Sequence, residues 1–310
     1  MMFPFILRRS VISVVVIWVI ITVTFFLMKL CPGGPFDRER SLPEAIENNI
    51  RARYGFDLPV WQQYLKYLGP LLRGDLGPSY HYQGQSVGVL IADKFPRSAT
   101  IGLLSILISI AVGVPAGIFC SVRQNRPSDR LTMLITIVGV SVPSFILATV
   151  LQYVAAVRWG LFNVAGLTYW YDAILPALAL SGYSLAFITR LTRSSFLDVL
   201  RDDWVRTAYA KGLAPLRVLV SHVLRNAIVP VVTYLGPLTA AVLTGSLVVE
   251  KIFSIPGLGE FFVTSVFNRD YPMIMGVTIF YSTLLVALNF LVDVIYVWLD
   301  PRISFGGIEG

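Results

Sequence analysis

The chain has 310 residues, 55% of them hydrophobic and only 14% charged, with a formal charge of +7 and a mean hydropathy of +0.71. A soluble domain carries about 25% charged residues, so the composition excludes one and implies an all-α, polytopic membrane protein. The positive charge does not require nucleic acid, because Lys and Arg at helix ends facing anionic lipid account for it.

A helix needs about 20 apolar residues to cross a roughly 30 Å hydrocarbon core. Six runs qualify: 11–30, 99–120, 131–157, 173–191, 228–249 and 273–299. The first follows Arg8 and Arg9 and reads as an uncleaved signal anchor, since it is longer than a signal-peptide core and no small-x-small cleavage site follows. The expected organisation is an anchor with a long outer loop over 1–98, a five-span core over 99–299 containing a cytoplasmic loop over 192–228, and a short tail over 300–310.

The outer loop carries its own helix signals. Ser41-Leu-Pro-Glu44 is a capping box that predicts a helix stopping at Gly55. Pro59 opens another, with Trp61, Tyr64, Leu65, Leu68 and Leu72 at helical spacing. That apolar stripe suits the membrane surface or packing on the spans, and other faces are open to a soluble partner outside.

In the second span, Gly113 and Gly117 flank Pro115 and let another helix approach closely. Cys31 and Cys120 fall at opposite ends of their spans, too far apart for the Cα separation of about 7 Å that a disulfide needs. His81 and His222 are isolated and no CxxC occurs, so no metal site is expected.

Basic residues resist translocation from short loops. Arg8 and Arg9, then Arg123, Arg126 and Arg130, then seven basic residues from 190 to 225 fall on one side; the opposite short loops hold Arg158, Lys251 and Arg269. Both termini are therefore expected in the cytoplasm.

Between the fourth and fifth runs lies Arg206-Thr-Ala-Tyr-Ala-Lys-Gly212. Asp202 or Asp203 is a suitable N-cap for a helix over 204–211, Gly212 a left-handed stop, and Pro215 the start of a second helix reaching Asn226. Ala208, Ala210 and Gly212 would permit close approach by another protein, with Arg206, Lys211 and Arg217 supplying charge-assisted contacts. In the last span, Asp293 needs a partner; Arg190 is a candidate, and the two are read as structural or pathway polar residues.

With these motifs in place, the chain resembles, over nearly its full length, the permease subunits of ATP-binding-cassette (ABC) peptide importers of the oligopeptide and dipeptide permease family. The resemblance is carried by Leu191-Thr-Arg-Ser-Ser-Phe196, by Arg206-Thr-Ala-Tyr-Ala-Lys-Gly-Leu213 and by His222-Val-Leu-Arg-Asn-Ala-Ile-Val-Pro230. Further matches are Cys31-Pro-Gly-Gly-Pro-Phe36, Gly74-Asp-Leu-Gly-Pro78, Ser141-Val-Pro-Ser-Phe145, Gly245-Ser-Leu-Val-Val-Glu250, Pro256-Gly-Leu-Gly259 and Asp293-Val-Ile-Tyr296. Pro-Gly-Gly-Pro-Phe leans toward the oligopeptide branch. Arg206 and Thr207 replace the Glu and Ala of the general importer motif, as in the peptide subfamily's own variant, and Tyr209 stands where that subfamily often has Arg.

The resemblance implies a type I ABC importer permease fold with six transmembrane helices in a bacterial inner membrane. It also implies a second homologous permease subunit, two cytoplasmic ABC ATPase subunits that bind ATP and magnesium, and an extracytoplasmic peptide-binding protein. The ATPase-coupling residues would be Trp204, Arg206, Thr207, Ala208, Tyr209, Ala210, Lys211, Gly212 and Leu213. The chain contains no Gly-Lys dipeptide, hence no Walker A loop; it is expected to be a non-catalytic subunit without its own cofactor. Dipeptides, glutathione, nickel or another small solute are alternative cargoes within the family. A secondary transporter would need coupling-ion sites and often shows inverted repeats; no internal repeat and almost no midplane charge are visible. No Ser, His and acid constellation supports a membrane enzyme.

Overall fold

The computed structural model describes residues 2–30, 57–82, 84–243 and 245–299. The expected helix from Ser41 to Gly55, Cys31 and the tail 300–310 lie outside the described residues. The described elements, in chain order, are α1 (Met2–Leu30), α2 (Val60–Leu71), α3 (Val87–Val122), α4 (Pro127–Ser141), α5 (Ser144–Arg158), α6 (Ile174–Leu200), α7 (Asp203–Ala210), α8 (Pro215–Ala227), α9 (Val229–Leu243), α10 (Leu247–Ile252), α11 (Leu258–Asn268) and α12 (Tyr271–Leu299).

Among the described residues, four stretches are long and apolar enough to cross a membrane: Ile6–Leu30, Val87–Val122, Trp170–Leu200 and Tyr271–Asp293. Counting each bent pair as one span, α4 with α5 at 101° and α8 with α9 at 49°, brings the number to six. The run expected as one span over 131–157 is thus broken into two helices. Pro143 has no N–H to continue the helical ladder and disfavours helical backbone in Val142, which is extended at φ −82° and ψ 119°. The fifth run stops short as well: α9 ends at Leu243, Gly245 turns the chain at φ +80°, and α10 starts afresh behind Ser246.

The chain forms two compact units, Met1–Pro96 with Gly257–Leu284, and Arg97–Pro256 with Leu285–Gly310. In the first, Ile17, Ile21, Phe25 and Met28 make one face of α1 and meet Tyr64, Tyr67, Leu68 and Leu71 of α2 together with Met275 and Ile279 of α12. The Thr22 and Tyr64 hydroxyls lie 2.6 Å apart, and Lys29 Nζ donates to Gln63 Oε1 at 2.5 Å. Pro59 does precede α2, whose stripe divides: Tyr64 and Leu68 pack on α1, while Trp61, Leu65 and Leu72 stay exposed. Asp270 starts α12 by accepting from Met273 N, and the same buried carboxylate holds the loop before α3 through Ser79 Oγ, Tyr80 N and His81 N.

In the second unit, small residues set the helix crossings. A Cβ on Gly113 would stand 3.1 Å from the Leu185 carbonyl, and one on Gly117 only 2.5 Å from Thr192 Cβ, so the pair read from sequence fits α3 against α6. Gly139 of α4 meets Ala186 and Gly182 of α6 in the same way. Val249, Phe253 and Ile255 seat α10 and its following loop against Ala148, Ala155, Leu175 and Ala177. Polar ties hold this packing: Ser98 Oγ donates to the buried Glu250 at 2.7 Å, and Gln152 Nε2 reaches the carbonyls of Val164 and Ile252 at 2.8 Å each.

Candidate functional site

The segment after α6 builds a helix, a tight turn and a second helix. Asp202 occupies the N-cap position of α7 with extended backbone, yet its carboxylate accepts from Trp204 Nε1 at 3.1 Å and makes no side-chain cap. The turn after α7 is a Schellman motif. Gly212 lies at φ +80°, its N–H bonds the Tyr209 carbonyl at 2.9 Å, and Leu213 N reaches the Ala208 carbonyl at 3.4 Å. Ala214 is extended before Pro215, which opens α8. One feature had no sequence signal: Val218–Val223 is wound as a π-helix inside α8.

Burial sorts the segment into two faces. Val205 is buried against Phe196 of α6 and Val218, Val223 and Ala227 of α8, with Ile118 at the end of α3 packed on the same cluster. Trp204, Arg206, Thr207, Tyr209, Ala210, Lys211 and Gly212 are exposed. Ala208 and Leu213 instead lean into the cluster. This corrects the expectation that Ala208 shares an outward face with Gly212: three residues on from Val205, it falls on the same side of the helix. Nothing lies within 4 Å of a Cβ built on Gly212. The ion pair between Arg206 and Asp203, at 3.6 Å, is fully on the surface and contributes little.

The remaining polar expectations resolve differently. Arg190 is exposed and Asp293 partly buried; among the described residues no ion pair joins them. Arg193, one helical turn further on from Arg190, is bonded to the buried Asp129. Sequence reading missed this pair, and 64 residues of separation leave no local pattern to reveal it. Cys120 is a buried free thiol. Among the described residues no group of His, Cys, Asp or Glu is arranged to hold a metal.

The geometry therefore presents a small solvent-facing helix on a body made from the ends of α3, α6 and α8. Comparison with known proteins gives this arrangement its context. Residues 113–305 match the family model described as binding-protein-dependent transport system inner membrane component, and residues 2–102 match the model for its N-terminal region. The chain is 46% identical to the dipeptide transport system permease protein DppB of Bacillus subtilis, over 93% of this chain and 94% of that one. It is 39% identical to the oligopeptide transport system permease protein OppB of Haemophilus influenzae, over 98% and 100%. Relatives of both names thus align, and they do not single out the oligopeptide branch. A structure of the MetNI methionine ABC transporter in inward-facing conformations matches with a TM-score of 0.57 at 18% identity, covering 68% of this chain and 96% of that chain; the shared fold is that of an importer permease. The chain belongs to the family of inner-membrane components of binding-protein-dependent transport systems.

Proposed function

We propose that the chain forms half of the membrane path of an ATP-driven peptide importer, and that α7 is the element on which a cytoplasmic ATPase subunit acts. The observation that carries the coupling role is the two-faced seating of α7: Val205 is locked into the body beneath it while Trp204, Arg206, Tyr209 and Lys211 point away. An exposed aromatic and basic face on a firmly seated short helix suits a protein groove. In this reading ATP and magnesium, bound between two ATPase subunits, draw those subunits together and displace α7 with its body. A second homologous permease subunit completes the path, and an extracytoplasmic binding protein delivers the cargo. The charge asymmetry of the short loops favours an orientation with α7 and both termini in the cytoplasm of a bacterial inner membrane.

Peptide cargo follows from the names of the aligned relatives, which include dipeptide and oligopeptide permeases. The test is reconstitution into liposomes. The purified chain alone should hydrolyse no ATP and move no peptide, whereas the assembly with its partners should do both. Peptide uptake by the lone chain in a proton or sodium gradient would contradict the proposal and indicate a secondary transporter.

A further inference from the structure

Asp129 and Arg193 form a forked ion pair that the function proposed above leaves unused. Arg193 Nε donates to Asp129 Oδ1 at 2.7 Å and Nη2 to Oδ2 at 2.8 Å. The Asp129 side chain is only 3% exposed. Its second oxygen also accepts from the backbone N–H of Asn125 at 2.9 Å, and Asn125 holds a left-handed φ of +65° to present it. A buried carboxylate satisfied from three directions in fixed geometry is a rigid joint, because a guanidinium fork constrains orientation as well as distance.

The position of the joint is what matters. Asp129 lies in the first turn of α4, the helix that leads to the 101° break before α5. Arg193 lies on α6 one turn before Phe196, which floors the cluster burying Val205 of α7. Farther along, α4 meets α6 through Gly139, Ala186 and Gly182. Those contacts set how closely the two helices cross, without a hydrogen-bonded tie between side chains. The ion pair adds a directional tie between the two helices at the start of α4.

We propose that Asp129–Arg193 is a positioning link that makes α4 follow the base of α7, so that displacement of the coupling helix reaches the bent span. This rests on the reading that the ATPase acts at α7. The same pair seen only as a stabilising contact would add strength without carrying movement, and the two roles separate experimentally.

The variants Asp129→Asn, Arg193→Gln and the double Asp129→Asn/Arg193→Gln are assembled in the full transporter. Each single change leaves a buried polar or charged group without its partner and should lower the amount assembled; the double change removes both charges and should restore it. The assembled double variant should still move about five-fold fewer peptides per ATP than wild type, the scale of a modest coupling energy. Spin labels at Arg201 and Leu134 read the link without cargo. In wild type they should keep one narrow distance with and without trapped nucleotide, and in the double variant the distribution should broaden. A wild-type peptide-to-ATP ratio with an unbroadened distance in the double variant would overturn the proposal. Should that variant fail to assemble, Arg193→Lys keeps the charge, loses the fork and carries the same two readouts, with wild-type values again fatal. If peptide is the wrong cargo, uptake is absent even in wild type while the distance behaviour persists.

Discussion

Gly117 and Thr192 bring α3 and α6 into backbone contact: a Cβ on Gly117 would stand 2.5 Å from Thr192 Cβ and 2.6 Å from the Thr189 carbonyl. Neither obstacle is the flexible end of a side chain, so accommodating even a methyl group means moving a helix. Gly117→Ala should therefore destabilise the assembled protein by about 1–3 kcal/mol, the usual cost of overpacking. Gly88 in α3 has nothing within 4 Å of its Cβ position, and Gly88→Ala should be neutral or slightly stabilising. Thermal unfolding of the two variants in the same detergent checks the contrast; equal melting temperatures would mean that α3 and α6 do not cross at Gly117.

Asp270 supports two structures with one carboxylate. Asp270→Ala should leave Ser79 Oγ, Tyr80 N and His81 N without their acceptor and remove the bond to Met273 N, costing about 1–3 kcal/mol for each buried donor left unmade. Limited proteolysis of vesicles should then cut within 74–86, where the wild-type loop resists. Asp270→Asn, which keeps one acceptor oxygen, should be intermediate.

Topology is tested by single-cysteine labelling in a background with Cys31 and Cys120 replaced by Ser. Gln85→Cys should react with an impermeant reagent from outside in right-side-out vesicles, while Arg126→Cys and Ala214→Cys should react only after permeabilisation. All three wild-type side chains or surfaces are exposed, so protection reports the membrane and not burial. Outside labelling of Ala214→Cys would reverse the orientation derived from the loop charges.

Local rules made parts of the fold legible and left others hidden. Pro59 before α2, Pro215 at the start of α8 and Gly212 at the end of α7 each answer to backbone constraints that act within a few residues. The crossing of α3 on α6 was half legible: Gly113 and Gly117 announced a close approach, but not its partner. The break at Val142 and Pro143 was written in the sequence, yet hydropathy counts apolar residues without regard to direction and merged two helices into one span. Ala208 was misread because a small residue permits approach from either side; its spacing from Val205 places it inward. Asp129 and Arg193 were beyond reach, since their pairing depends on how two helices lie against each other.

If α7 couples ATP hydrolysis to movement of cargo, Gly212 at its exposed end is where a substitution should break that coupling. Its left-handed backbone costs a residue with Cβ roughly 1 kcal/mol or more, and its Cβ position opens onto empty space. A bulky residue there should strain the turn and crowd whatever docks on α7 without disturbing the body beneath. Gly212→Asn, which tolerates left-handed backbone, should retain most activity. The decisive measurement is peptide uptake beside ATP hydrolysis for Gly212→Arg, reconstituted with the second permease, the ATPase subunits and the binding protein. Normal membrane insertion, lost uptake and no stimulation of hydrolysis by loaded binding protein are expected; wild-type uptake with wild-type stimulation would mean that coupling does not run through α7.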